Sequence, residues 1–249
     1  MTVLESLSPR ALAAPESGIV EVITYARGRE GLIPLWAGEG DLPTPSFISD
    51  AVAEALKNGE TFYTWQRGIP ELRQALSDYY ARHFDKRLST DHFYVTGSGM
   101  HAIALAVQAV TEPGDELIYL SPIWPNIISA TELAGAHPKG VTLSFTGGRW
   151  VVDLDKLEAA ITPRTRALFI NTPSNPTGWT ANRDDLTAIL ALARKHGLWI
   201  IADEIYSLYH FAGAGRAPSF LDIMEEGDRI IFANSFSKNW SMTGWRVGW

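Results

Sequence analysis

Beyond residue 91 the chain alternates short β-branched and aromatic runs with helix-length segments whose apolar positions recur at helical spacing. This alternation is the signature of a mostly parallel α/β sheet. Strands are predicted at 93–96, 116–120, 141–144, 167–171, 198–203 and 229–234. Ile200-Ile201-Ala202 and Ile230-Ile231-Phe232 are unbroken apolar runs, as in strands covered on both faces. Between the strands, amphipathic helices are predicted at 100–111, 125–134, 153–161 and 183–196. Pro113-Gly114-Asp115 and Gly147-Gly148 mark turns. The earlier part reads as two helices, 47–57 and 69–83, the second entered through Gly68-Ile69-Pro70 with Glu71 in its first turn.

Length and composition narrow the function classes. A chain of 249 residues holds one large core, or a core with a minor lobe. The net charge of -7 argues against a general nucleic-acid or anionic-membrane surface. With no cysteine there is neither a disulfide framework nor thiolate metal ligation, and the six histidines lack metal-ligand spacing. No signal-peptide pattern opens the chain and no apolar stretch is long enough to span a bilayer, so the expected address is the cytoplasm. The chain stops at Trp249 within the apolar run Trp245-Arg246-Val247-Gly248-Trp249, a poor natural end for a strand-like segment. A continuation beyond it is expected.

The most informative run is Ser235-Phe236-Ser237-Lys238-Asn239-Trp240-Ser241-Met242-Thr243-Gly244-Trp245-Arg246-Val247-Gly248. It sets a lysine among hydroxyls and a glycine-flanked arginine a little further on. An amine that attacks an aldehyde, beside a fixed cation that holds a phosphate, is what anchoring pyridoxal phosphate requires. A solvated loop is the plain alternative. Asp203 ends an apolar strand, and in open α/β sheets the carboxyl ends of strands face the ligand crevice. There a carboxylate can keep a pyridine nitrogen protonated; a helix cap or structural ion pair is the other use. Three residues on, Tyr206 can donate to a phenolic oxygen or simply pack. Thr96-Gly97-Ser98-Gly99 runs from a strand into a helix, where backbone N–H groups and the helix dipole favour a phosphate.

Taken together with Gly38-Glu39-Gly40-Asp41, Pro43-Thr44-Pro45, Tyr63 before Gly68, Trp124, Asn175-Pro176-Thr177-Gly178 and Asp203-Glu204-Ile205-Tyr206, these motifs stand in one order along the chain. In that order the sequence resembles the class I/II aminotransferases, fold-type I pyridoxal-phosphate enzymes, from roughly residue 15 to its last residue. The resemblance implies a mostly parallel seven-stranded sheet flanked by helices, with residues 1–41 as an N-terminal arm and 42–249 as an incomplete cofactor-binding large domain. It also implies a C-terminal small domain, absent here, on the order of 100 residues or more.

The same resemblance assigns residues. Lys238 is the Schiff-base lysine and the acid and base on the substrate carbon, Asp203 the partner of the ring nitrogen, and Tyr206 and Asn175 donors to the phenolic oxygen. Ser98, Gly99, Met100, Ser235 and Arg246 form the phosphate cup, with Trp124 against the ring. Tyr63 reaches the phosphate of a neighbouring subunit, which implies a homodimer with shared sites, and Gly38, with Asn175, lies near the substrate carboxylate. The implied reaction passes an amino group between an L-amino acid and a 2-oxo acid in ping-pong fashion, with no metal. Two other readings stay open: a pyridoxal-phosphate lyase or related carbanion enzyme built on the same cup, and a non-catalytic effector domain of a transcription regulator.

Overall fold

The computed structural model describes residues 3, 6–13, 17–213 and 215–249; the other positions, most of them in the expected arm, lie outside the described residues. Strands β1 (Glu116–Ser121), β2 (His137–Thr142), β3 (Ser144–Thr146), β4 (Arg149–Val151), β5 (Thr165–Asn171), β6 (Trp199–Asp203) and β7 (Ile230–Ala233) divide into two sheets. The main one has five strands in the order β2-β1-β5-β6-β7, every neighbouring pair parallel. The remaining two, β3 and β4, form a small antiparallel hairpin.

The expected seven-stranded sheet is therefore corrected to five. The segment predicted as a strand at 93–96 meets the sheet through one antiparallel bridge, Thr96 to Gly248, and Gly248 bridges in turn to Ser235. Main-chain bonds from Thr96 N–H to Gly248 and from Asn234 N–H to Trp249 continue the sheet without making a ladder. The strand predicted at 141–144 starts earlier, at His137. Pro138 and Gly140 hid it, since both are poor strand formers; on an edge strand a missing N–H is tolerated, and Gly140 leaves room for the Tyr119 ring, 3.0–3.2 Å from where a Cβ would stand.

Helices α1 (Pro9–Ala13), α2 (Gly18–Ala26), α3 (Ser46–Lys57), α4 (Pro70–Phe84), α5 (Gly99–Val110), α6 (Asn126–Leu133), α7 (Leu154–Ala159) and α8 (Arg183–His196) complete the chain. The period-2 rule sorts the core into two layers. Ile118, Leu120, Leu168, Ile170, Ile200 and Ala202 turn to one face and pack with Leu157 of α7 and Leu186, Ile189 and Leu190 of α8. Leu117, Ala167, Phe169 and Ile201 turn to the other, against Ile103 and Val107 of α5 and Ile127 of α6. Each buried Leu, Ile, Val or Phe among them contributes roughly 1.5–3 kcal/mol. Local signals agree with this packing: α8 opens on a reciprocal Asn182–Asp185 capping box, carries acids in its first turn and bases in its last, and stops at Gly197 in the left-handed region.

A third cluster seats α4 across the end of the sheet, with Leu76, Tyr80 and Phe84 against Phe93, Leu221 and Trp249. The Tyr80 hydroxyl accepts from the Asn234 amide and from the Trp249 indole N–H, both at 3.1 Å. Among the described residues before Leu76 none is buried, and no described helix is long and apolar enough to cross a membrane.

Candidate active site

Parallel strands deliver their carboxyl ends to one edge of the sheet. Here that edge receives Asn171 from β5, Asp203 from β6 and the 234–238 segment after β7. Above it lies a cavity of about 1060 Å³ whose wall includes Gly38, Trp124, Asn175, Asp203, Tyr206 and Lys238. Gly99 and Met100, the first two residues of α5, also line it.

Asp203 is 5% exposed, and its Oδ1 accepts from the Ile205 N–H at 3.3 Å. No ion pair within 4 Å satisfies its carboxylate among the described residues. Burial pushes it up to about 7, against the pull of that N–H and of the Lys238 charge. The Lys238 amine is held below the ordinary lysine value, first by burial and then by Arg246, while Glu39 and Asp203 work against the shift. Its Nζ donates to the Gly38 carbonyl and lies 5.7 Å from the centre of the Tyr206 ring. The Tyr206 hydroxyl is raised by burial and then by the Asp203 charge, with the Asn175 side chain pulling the other way.

The lysine loop is held on both sides. Tyr209 donates through its hydroxyl to the Lys238 carbonyl at 3.0 Å. On the other side, Thr243 donates to Glu39 Oε2 at 2.9 Å and the Trp245 indole to Thr44 Oγ1 at 2.9 Å. The motif around Gly38 and the one around Thr44 are thus pinned to the segment that carries Lys238.

Four expected residues do not line the cavity. Ser98 Oγ accepts from the His101 N–H at 3.0 Å and so caps α5. Ser235 lies behind Gly99, its hydroxyl donating to Ser237 Oγ at 2.8 Å; a Cβ on Gly99 would stand 3.1 Å from the Ser235 Cβ. Arg246, exposed and in the left-handed region at φ 55°, donates to the Thr243 carbonyl at 2.8 Å and joins no ion pair among the described residues. Tyr63 is fully exposed on the segment between α3 and α4, outside the cavity. Sequence reasoning missed Asn171, Tyr209 and Phe211, which also line the wall. For Asn171 the signal was available: a polar residue closing an apolar strand, the same feature that singled out Asp203.

The donor set fits pyridoxal phosphate. A buried carboxylate without a counter-ion suits a cationic ring nitrogen, a desolvated amine suits an aldehyde, and the start of α5 suits an anionic tail. A wall of Met100, Ile123, Trp124 and Tyr209 leaves the rest apolar.

Comparison with known proteins agrees with this geometry. The family model described as aminotransferase class I and II matches residues 30–249. The chain is 38% identical over 220 residues to an aspartate aminotransferase of Thermotoga maritima, covering 88% of this chain and 58% of that one. It is 35% identical over 246 residues to aromatic-amino-acid aminotransferase 2 of Thermococcus litoralis, covering 98% and 62%. Among solved structures, N-succinyldiaminopimelate aminotransferase of Mycobacterium tuberculosis superposes with a TM-score of 0.90 at 32% identity, over 98% of this chain and 63% of that one. The chain thus spans about three-fifths of the length of the curated relatives it matches. Motif order, sheet topology and the match over residues 30–249 lead to one conclusion: this chain belongs to the class I and II aminotransferase family.

Proposed function

We propose that the protein is a pyridoxal-phosphate-dependent aminotransferase that moves an amino group between an L-amino acid and a 2-oxo acid. The observation that carries this reading is the pairing, in one cavity, of a lysine amine below its ordinary pKa with a buried carboxylate raised to about 7. Bound pyridoxal phosphate supplies an aldehyde that takes up amines and a ring that withdraws electrons.

The chain's own groups have definite tasks in that reading. Lys238, with its lowered pKa, holds more neutral amine near pH 7 than an exposed lysine and can therefore both anchor the cofactor and accept or return a proton at Nζ. Asp203, ionised by a cationic partner, holds the proton on the ring nitrogen. Asn175 and Tyr206, both in the cavity wall, aim their donors at the ring oxygen. The N-terminus of α5 binds the phosphate through the Gly99 and Met100 N–H groups, with Ser98, Ser235 and Arg246 around it. Trp124 covers the ring face and excludes water. Gly38 and Asn175 meet the substrate carboxylate.

The reading extends to a cytoplasmic homodimer in which Tyr63 reaches the partner's phosphate. Its full exposure here leaves it available for that contact.

The test is a half-reaction screen. The protein is loaded with pyridoxal phosphate, mixed with single amino acids, and followed by the visible absorbance of the bound cofactor and by the 2-oxo acid released. Stoichiometric 2-oxo acid, with the amine recovered on an added second 2-oxo acid, supports the reading. Release of ammonia and pyruvate from a β-substituted amino acid, without amine recovery, replaces it with a lyase.

A further inference from the structure

Strands β5 and β6 are in register with Asn171 opposite Asp203. Asn171 is 4% exposed, and both ends of its amide are engaged. Its Nδ2 donates to the Asp203 carbonyl at 3.2 Å, and its Oδ1 accepts the Asn175 N–H at 2.8 Å. The amide orientation is unambiguous, because a carbonyl can only accept and an N–H can only donate. The Asp203 carbonyl also accepts from the Thr172 N–H at 3.1 Å, so two donors hold the end of β6 against the turn that leaves β5.

The Asn175 N–H is thus tied through Asn171 to the Asp203 carbonyl, and the Asn175 side chain is near enough to pull down the Tyr206 hydroxyl, three residues beyond Asp203. All four residues line the cavity. Asn171 is the link that ties the turn after β5 to the end of β6. Without it, the position of Asn175 relative to Asp203 rests on the Thr172 bond and on packing.

We infer that Asn171 is a positioning residue for the reaction proposed above: through its two main-chain bonds it sets where Asn175, and with it the Tyr206 hydroxyl, points relative to Asp203. The inference rests on that functional reading. It assigns Asn171 no contact with substrate and no proton transfer. It accounts for a polar side chain buried at the end of the apolar run 167–170, where an unsatisfied amide would be costly.

The consequence is spectroscopic before it is kinetic. Donors aimed at the ring oxygen of the bound cofactor draw electron density from the chromophore and make its titrating nitrogen less basic. When Asn175 and Tyr206 are misaimed, that nitrogen becomes more basic, and the pH midpoint of the visible band rises. A change in overall stability alone would leave the midpoint where it was.

The experiment loads wild type, Asn171→Ala and Asn171→Thr with pyridoxal phosphate and titrates the visible band with pH. The cofactor dissociation constant is measured in parallel by tryptophan fluorescence. Asn171→Thr replaces the amide by a shorter hydroxyl on a strand-forming residue, and it decides alone should the alanine variant fail to fold. The expected result is an upward midpoint shift of about half a pH unit or more in both variants. In the Asn171→Ala, Asn175→Ala double variant the combined shift should be smaller than the sum of the single ones, because one residue acts through the other. A smaller or downward shift in the variants, or full additivity, overturns the inference even where the melting temperature falls. A wild-type protein that forms no visible band and no reducible adduct fails one step earlier, at the functional reading itself.

Discussion

The ε-amine of Lys238 donates to the main-chain carbonyl of Gly38, 200 residues earlier in the chain. The segment around Gly38 thereby sits directly on the amine, and glycine is what lets it. A Cβ at position 38 would stand 2.9 Å from the Tyr206 hydroxyl and 3.3 Å from the Lys238 Nζ. Gly38→Ala should therefore displace both groups while leaving the buried core untouched, since residue 38 is exposed. Covalent capture of pyridoxal phosphate, followed by borohydride trapping over time, is expected to slow by about 10- to 100-fold. The melting temperature should barely change, and a wild-type capture rate would remove any role for the close approach.

Replacing the amine separates charge from nucleophilicity. Lys238→Ala removes both, whereas Lys238→Arg keeps the cation but cannot lose its proton near neutral pH. After reduction and digestion, mass analysis of wild type should find the cofactor adduct on the peptide that contains residue 238. Neither variant should carry it. An adduct on another lysine in either one would move the anchoring role elsewhere.

Much of this arrangement could be read before the fold was known, for identifiable reasons. The apolar run ending at Asp203 reads as a covered strand, whose carboxyl end faces the crevice in an open α/β sheet. The capping box at Asn182 and the proline at the start of α4 fixed helix starts locally. What escaped depended on tertiary context. The strand at 137–142 is written in residues that disfavour strands and holds its place on the sheet edge beside β1. The segments 93–96 and 247–249 look like strands but pair only through the isolated bridges Thr96 to Gly248 and Gly248 to Ser235, which no local pattern announces. Within the site, residue types announced the amine and the carboxylate, while Asn171, which closes an apolar run as Asp203 does, was passed over because an amide carries neither charge nor nucleophile.

Asp203 makes the cofactor-free protein sensitive to pH, and the sign follows from its raised value. Its carboxyl goes from an ordinary 3.8 to about 7 on folding, mainly through burial. The folded state thus binds its proton more tightly than the unfolded one. That contribution to stability is complete below about pH 4 and is lost as pH rises through about 7. Asp203→Asn keeps the shape without the ionisable proton. Its melting temperature should match wild type near pH 4 and exceed it above pH 7, by an amount corresponding to on the order of 2–4 kcal/mol. Calorimetry of the two cofactor-free proteins from pH 4 to 8 checks this, and parallel melting curves would refute it. The same variant should bind pyridoxal phosphate more weakly, so that the gain in stability and the loss of affinity share one cause.

Gly248 holds the last segment against the start of α5. An added Cβ there would meet Gly99 N at 2.5 Å, the Ser98 carbonyl carbon at 2.6 Å and the Asn234 carbonyl oxygen at 2.8 Å. These are main-chain atoms on separate segments, with no flexible side chain to give way. Gly248→Ala should cost about 1–3 kcal/mol in urea unfolding and should weaken cofactor binding, since the turn it pushes on begins the helix that faces the cavity. Gly244→Ala, with nothing within 4 Å of the corresponding position, serves as the control and should change neither quantity.

Arg246 offers the sharpest separation between holding the phosphate and holding the ring. Its guanidinium is exposed and makes one hydrogen bond, to the Thr243 carbonyl, within the described chain. Removing its charge therefore leaves no buried partner unsatisfied, and stability should change little. A charge-assisted contact to a phosphate is worth about 1.5–3 kcal/mol, which corresponds to roughly 10- to 100-fold in affinity. Arg246→Gln is accordingly expected to lose that factor for pyridoxal phosphate and almost none for pyridoxal, which lacks the anionic tail. Titration of both compounds against both proteins gives the ratio directly. Equal losses for the two ligands would mean that the arginine acts on the ring or on the lysine loop, and the anion site would then have to be sought in the α5 N-terminus and its serines alone.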